Sequence, residues 1–374
     1  MVPAELLGLE KKELVALLAA WGQPPYRADQ LFSAIYNQRL RDPEAISTFP
    51  RALRARLAAE TRITWPVVEQ EFLSRDGTRR YLLRLEDGET IETVLMPEEA
   101  RDTICISTQA GCLLNCGFCL TALLGLKRNL TAGEIVGQAL LSAECGMRNA
   151  ELNDTPHSAL HTPHSPPTPH SALRIPHSSG TPHYNLVFMG MGEPLLNYDA
   201  TLKAVRLLAA CQRLGITTRR MTLSTAGIVP KIEALGREPV RPKLAISLNA
   251  TTDEIRTRLM PINEKWPIAR LMEACRMFPL RPGERLTFEY VLLDGVNDTP
   301  ADARRLVKLV GGLRAKVNLM GWNPGPELPY RTPPEERVLA FQQVLADSRI
   351  SAFIRKPRGR DISAACGQLK RTVA

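Results

Sequence analysis

Apolar residues open the chain at helical spacing. Leu6, Leu7, Leu9, Leu14, Leu17 and Leu18 recur along one face, and the run from Tyr26 to Phe32 leads into a second amphipathic segment. Over residues 61–100 the period shortens. Glu71–Leu73, Arg79–Leu85 and Glu89–Met96 read as short strands divided by Asp76-Gly77 and Asp87-Gly88 turns. Residues 1–100 are thus expected to form a small helical domain with a small β element.

A different rhythm starts near residue 103. Strand-like segments lie at Thr103–Thr108, Tyr184–Gly190, Arg220–Thr225, Lys243–Leu248, Leu286–Leu293 and Lys316–Met320. Between them run helix-like segments at Thr131–Cys145, Tyr198–Leu214, Pro230–Leu235, Asp253–Leu259 with Ile268–Phe278, and Ala301–Leu313. The first of these starts on a capping box, Thr131 with Glu134. Such alternation implies parallel strands joined by right-handed crossovers. Six units are too few for a closed eight-fold barrel, so the fold class is α/β: a partial, TIM-like (β/α)6 barrel over residues 101–348. A seventh helix and strand (334–356) run into a basic tail, residues 349–374.

Residues 155–183 break the pattern. Seven Pro, six His, five Ser and four Thr fall among these 29 positions, with Pro-His-Ser-Ala-Leu at 156–160 and again at 169–173. A segment of this composition buries no core and reads as a disordered insertion. It follows a helix and precedes a strand, which hangs it from the N-terminal face of a barrel.

Composition sharpens the picture in three places. No apolar run among the 374 residues reaches the roughly 20 needed to span a bilayer, and no basic-then-apolar leader is visible, so a cytosolic, membrane-free protein is expected. A net charge of +9 favours a polyanionic partner. All six histidines lie between His157 and His183, which argues against Ser-His-Asp, Cys-His and His-rich zinc chemistry. The chemistry is left to cysteine, carboxylates or a cofactor.

Of eight cysteines, Cys145, Cys211 and Cys275 sit among apolar neighbours in helix-like segments and read as buried thiols. Cys112, Cys116 and Cys119 form a C-x3-C-x2-C loop directly after the first barrel strand, which itself holds Cys105. Three thiolates in a tight loop suit three corners of a [4Fe–4S] cube and leave the fourth iron open for a ligand, whereas electron-transfer clusters use four. A closed zinc knuckle is the other reading of such a loop.

With a barrel behind it, this loop resembles the radical S-adenosylmethionine (SAM) superfamily. The likeness extends to the RlmN-type adenine-C2 methyltransferases of 23S rRNA. It rests on Ile104-Cys105-Ile106-Ser107-Thr108-Gln109-Ala110-Gly111-Cys112, Lys127-Arg128-Asn129-Leu130, Met189-Gly190-Met191-Gly192-Glu193-Pro194-Leu195 and Leu223-Ser224-Thr225-Ala226-Gly227. Trp322-Asn323-Pro324, Ala365-Cys366-Gly367-Gln368-Leu369, Leu6-Leu7-Gly8-Leu9 and Pro25-Tyr26-Arg27-Ala28 fit as well, so that nearly the whole chain outside 155–183 is covered.

The resemblance implies a set of roles. Cys112, Cys116 and Cys119 would hold one [4Fe–4S] cluster per chain. Gly192 would allow close backbone approach to SAM, and Glu193 would take its amino group. Ser224, Ser247-Leu248-Asn249 and Asn323 would contact the rest, although relatives commonly read Ser-Leu-His where this chain has Asn249. Two SAM molecules would serve each turnover: Cys366 would accept a methyl group, and a radical made on that methyl would add to C2 of adenine. Cys105 would release the product by forming a disulfide with Cys366, with Glu92 as proton acceptor. Arg355, Lys356, Arg358 and Arg360 would favour the Cys366 thiolate.

Implied partners are 23S rRNA, tRNA in addition, and an electron donor such as flavodoxin or ferredoxin, acting on a monomer. Lys127-Arg128, Arg219-Arg220 and the tail basics would meet RNA phosphates around the site, with the N-terminal domain reading RNA shape. Two alternatives stay open at this point. A Cfr-type enzyme methylates C8 with the same cysteines, although the complete N-terminal domain and the Ala-Cys-Gly-Gln-Leu tail lean toward C2. A non-catalytic iron–sulfur RNA-binding protein would have no need of Glu92, Cys105 and Cys366.

Overall fold

The computed structural model describes residues 3–98, 101–154, 184–325 and 327–371. The N-terminal part packs β1 (Ala4–Glu5), α1 (Lys11–Ala19), α2 (Tyr26–Phe32) and α3 (Arg51–Glu60) against β2 (Thr61–Arg62), which pairs in parallel with β1. Leu14 and Leu18 of α1, Leu31 of α2 and Leu57 of α3 are fully or almost fully buried, as the helical spacing of the apolar positions requires. Tyr36 ties this layer together: its hydroxyl accepts from the Gly8 amide (2.9 Å) and donates to the Leu9 carbonyl (2.9 Å).

Next come β3 (Val67–Leu73), β4 (Arg79–Arg84) and β5 (Thr90–Met96), an antiparallel meander turning at Gly77 and Gly88, both at positive φ. β5 pairs antiparallel with β6 (Asp102–Cys105), so one sheet joins the meander to the barrel. β6 leads into the cysteine loop, which is flanked by a hairpin of β7 (Gln109–Gly111) and β8 (Leu126–Asn129).

The barrel then alternates α4 (Ala132–Asp154), β9 (Tyr184–Phe188), α5 (Tyr198–Ala210), β10 (Met221–Thr225), α6 (Val229–Arg237) and β11 (Lys243–Ser247). It continues with α7 (Asp253–Leu259), α8 (Ile268–Met277), β12 (Leu286–Leu292), α9 (Pro300–Val310), β13 (Ala315–Gly321), α10 (Glu335–Asp347) and β14 (Ala352–Ile354). The ten-stranded sheet runs β14-β13-β12-β11-β10-β9-β6-β5-β4-β3, all parallel from β6 to β14. This is the partial barrel the alternation implied, with its core between strands and helices. The Thr131–Glu134 capping box forms in both directions, at 2.8 and 3.2 Å.

The expected insertion at 155–183 lies outside the described residues. Cys211 and Cys275 are buried and Cys145 is half-buried. Among the described residues no helix is long and apolar enough to cross a membrane.

Candidate active site

Parallel strands deliver their C-terminal ends to one mouth of the barrel, and there the cysteine loop sits. Gly111 starts the loop at φ +89, where a Cβ would stand 1.8 Å from the Gly125 carbonyl oxygen, so only glycine fits the hairpin. Cys112 donates its amide to the Gly125 carbonyl (3.0 Å), Cys119 donates to Cys116 (3.1 Å), and Gly117 donates to Leu259, the last residue of α7 (2.9 Å). Burial pushes the Cys112 thiol up to about 12 and raises Cys116 and Cys119 as well, and Cys119 and Cys112 each raise Cys116 further. The three sulfurs therefore share one electrostatic neighbourhood.

Around the loop stand the strand ends. Glu193 is buried, its Oε2 accepting from the Ala226 amide (2.8 Å) and Oε1 from Leu195 (3.1 Å). Desolvation pushes its carboxyl up to about 7 against those bonds, and its charge acts on Cys112 and Cys116. Ser224 and Ser247 share a hydrogen bond at 3.2 Å across β10 and β11. Asn323 lies two residues past β13 with Oδ1 buried and without a hydrogen bond.

The chain's tail closes over this assembly. Leu120 donates its amide to Gly367 (2.8 Å), Thr121 its hydroxyl to Leu369 (2.7 Å), and Gln368 its side-chain amide to Pro324 (2.9 Å). Cys366 is thereby held at the loop's edge, solvent-exposed, and its charge raises the buried Cys105 at the end of β6, where burial is the larger cause. In β5, Glu92 shares a sheet face with Cys105, because Val94, its neighbour two positions on, stands opposite Cys105. Glu92 is fully buried and paired with Arg80. Burial outweighs Arg80 and raises its carboxyl, the main chain of Lys370 and Arg371 approaches it, and Oε2 makes no hydrogen bond.

Sequence comparison bears on the whole of this chain. Residues 4–63 match the family described as the ribosomal RNA large subunit methyltransferase N-terminal domain, and residues 177–307 match the radical SAM superfamily. The chain is 50% identical to a probable dual-specificity RNA methyltransferase RlmN of Koribacter versatilis, over 94% of this chain and 97% of the relative. It is 45% identical to the dual-specificity RNA methyltransferase RlmN of Solidesulfovibrio magneticus, over 98% of this chain and 96% of that one. The chain belongs to the RlmN family.

A solved radical SAM methyltransferase from Sphaerobacter thermophilus superposes with a TM-score of 0.85 at 42% identity, covering 99% of this chain and all of that one. As an RlmN-family protein the chain is a radical SAM RNA methyltransferase, which implies a [4Fe–4S] cluster and SAM. The donor set fits. Three thiols on one loop, each raised by burial, offer three ligands and leave one iron of a cube open. The unpartnered Asn323 Oδ1 is the kind of buried acceptor a bound molecule satisfies.

The expected cofactor contacts also have partners within the chain. Gly192, at φ +97, gives close approach to Gln109, whose Cβ would lie 2.5 Å from an added Cβ; Gln109 Oε1 then accepts the Glu193 amide (2.8 Å). Leu248 is fully buried and meets its surroundings through the main chain, donating to Glu289 (3.0 Å) and accepting from Arg256 (3.1 Å). Asn249 spends its side chain on the Val291 amide (2.9 Å) and Met260 Sδ (3.3 Å), and its φ of +56 is one that Asn tolerates better than most residues.

The cationic setting expected for Cys366 does not prevail. Although the residue is exposed, neighbouring atoms crowd its sulfur, and this desolvation raises its thiol to about 11; Glu289 adds to that, with Arg355 opposing. Arg128 is taken by Asp87 (2.5 Å) and Glu134 (2.7 and 2.8 Å). Arg219 and Arg220 precede β10 and so sit at the opposite end of the strand from Ser224.

Three residues carry weight that the sequence reading did not assign: Gln109, Arg256 and Glu289. Arg256 is 1% exposed and donates to Ala226 (2.6 Å), Leu248 (3.1 Å) and Ser247 (3.3 Å), joining the ends of β10 and β11. A charged residue on an amphipathic helix reads as solvated, and nothing local signals that this one turns inward.

Proposed function

We propose that this RlmN-family enzyme methylates C2 of adenine in 23S rRNA and in tRNA through a methyl group carried on Cys366. The observation that supports it best is the docking of the Cys366 tail on the cysteine loop, with Cys105 within its electrostatic reach. C2 is electrophilic and no nucleophile toward a methyl cation, so the carbon must be delivered by another route. Cys112, Cys116 and Cys119 hold the cluster, while Glu193 receives the amino group of SAM and Ser224, Ser247 and Asn323 bond the remainder. When bound, the cluster and SAM supply one-electron chemistry that generates an alkyl radical.

The protein's own residues do the rest. Cys366 accepts the methyl group as a thioether, and that carbon becomes bonded to C2. Glu92, raised above an ordinary carboxylate and carrying an open Oε2, receives the proton lost from C2. Cys105 then bonds to the Cys366 sulfur as a disulfide while the bond from that sulfur to the transferred carbon breaks; the electron pair stays on the carbon, which takes up a proton to complete the methyl group and free the base. The enzyme uses one cluster per chain and two SAM molecules per turnover, works as a cytoplasmic monomer and draws electrons from a flavodoxin or ferredoxin. RNA phosphates meet the cations of the tail, and the target adenine leaves its stack to enter the mouth.

The test is mass spectrometry of rRNA and tRNA from a host lacking its own enzyme and expressing this chain. A methyl at C2 of adenine in both is expected; methylation at C8 overturns the position, and unmodified tRNA overturns the second substrate.

A further inference from the structure

The loop that carries Gly192 and Glu193 after β9 is gripped from the side of the cysteine loop. Gln109 lies in β7, the strand that runs into the cysteines, and is 1% exposed. Its Oε1 accepts the Glu193 amide (2.8 Å), and its Nε2 donates to Oδ1 of Asn129 (2.7 Å), its cross-strand partner in β8. Gly192 makes this grip possible. At its φ of +97, an added Cβ would stand 2.5 Å from Gln109 Cβ and 2.8 Å from Cγ, so any larger residue would push Gln109 off Glu193.

Other bonds lace the two segments together without that side chain. The Met191 carbonyl accepts the amides of Thr108 (2.9 Å) and Gln109 (3.3 Å), and the Ser107 hydroxyl accepts the Met191 amide (2.9 Å). Asn197 donates Nδ2 to the carbonyls of Thr108 (2.8 Å) and Leu130 (2.7 Å). The Gln109 side chain adds one thing to these: it fixes the main chain of Glu193 itself. At the far end of that residue, Ala226 and Leu195 each donate one amide to the carboxylate. A carboxylate accepts about four such bonds, so room is left on it for a cation.

We propose that Gln109 is a positioning residue for SAM: it holds Glu193 at a set separation from the cysteine loop, so that the amino-acid end of SAM finds both in place. The inference rests on reading Glu193 as the acceptor of the SAM amino group. The cysteine loop follows β6 and β7, whereas Glu193 follows β9, so SAM is held by two segments that meet only in the folded chain. Affinity is lost when such segments must be ordered at the moment of binding. Removing the Gln109 amide also leaves the buried Glu193 amide unpaired, which loosens that main chain. Gln109 makes and breaks no bond in the reaction. Its effect falls on how tightly the amino-acid end is bound.

The test separates positioning from a general structural role. Gln109→Met keeps the length and the packing beneath Gly192 and removes both side-chain hydrogen bonds. In reconstituted protein without SAM, deuterium exchange at the Glu193 amide should quicken, while the Leu223 amide inside β10 keeps its protection. By equilibrium dialysis SAM should bind about tenfold more weakly. 5′-Methylthioadenosine, which has the adenosine and no amino-acid end, should bind as it does to wild type. Unchanged SAM affinity overturns the proposal. So does an equal loss for both ligands or a fall in iron content, either of which marks a collapsed mouth. Glu193→Gln keeps the underlying reading apart: if it binds SAM as tightly as wild type, Glu193 is not the amino acceptor, and that reading falls and the proposal with it.

Discussion

The side-chain amide of Asn323 donates to the main-chain carbonyl of Cys366 at 3.3 Å, tying the end of β13 to the tail. Replacing it with alanine removes one hydrogen bond of about 1 kcal/mol. For a chain of this length that shifts the melting temperature by only about 2 °C. Methyl loading of Cys366 should fall at least tenfold, because placement of the sulfur is lost. Thermal melts and mass spectrometry of the Cys366 peptide check the two halves, and a large loss of stability would mean that Asn323 serves the fold instead.

Cys112→Ala, Cys116→Ala and Cys119→Ala should each abolish the binding of about four irons by anaerobically reconstituted protein. Iron and sulfide analysis gives the count. Stoichiometric zinc without iron would contradict the open cluster.

Cys105 and Cys366 should fail at different steps. Cys366→Ala takes no methyl and forms no bond to RNA. Cys105→Ala still loads methyl, reacts once and stalls as a protein–RNA adduct, since nothing else displaces the thioether. A denaturing gel shift that nuclease trims to a small adduct on the Cys366 peptide reads this, and normal turnover by Cys105→Ala would refute the assignment.

Glu193 sets a pH window. Its folded value, about 7, stands above the ordinary 4.5 because burial disfavours the charge. Between those values the folded state holds more protons than the unfolded one, so this residue's contribution to stability declines as pH rises from about 4.5 to about 7. Ligand-free Glu193→Gln should therefore melt a few degrees above wild type at pH 8, with the gap closing toward pH 4.5. In reconstituted protein, SAM should stabilise the wild type and not the variant. Calorimetry across this range measures both.

The architecture was legible because its signals are local. The turns at Gly77 and Gly88, the Thr131 cap and the cysteine loop are each set by residues close together in the sequence. What escaped depends on distant segments. Arg256 and Glu289 are charges that belong inside only because the strand ends converge on them. Asn249, at positive φ, accepts the Val291 amide with its side-chain oxygen, a pairing across to β12 that its sequence neighbours do not announce. The Arg219-Arg220 pair is adjacent in sequence to a site strand and yet lies at its far end, a matter of strand direction that residue spacing does not reveal.

The tail joins two places that the sheet keeps apart. It leaves β14, one edge strand, and reaches the turn between β3 and β4 at the other, where Asp361 accepts from Ser74 (2.6 Å) and Gly359 donates to Asp76 (3.0 Å). Only then does it return to set Cys366 against the cysteine loop. The sulfur is thus tethered at both ends to the frame that receives the substrate. Its encounter with a bound base is governed by effective concentration and not by diffusion, and the entropy of bringing it there is spent once, when the chain folds.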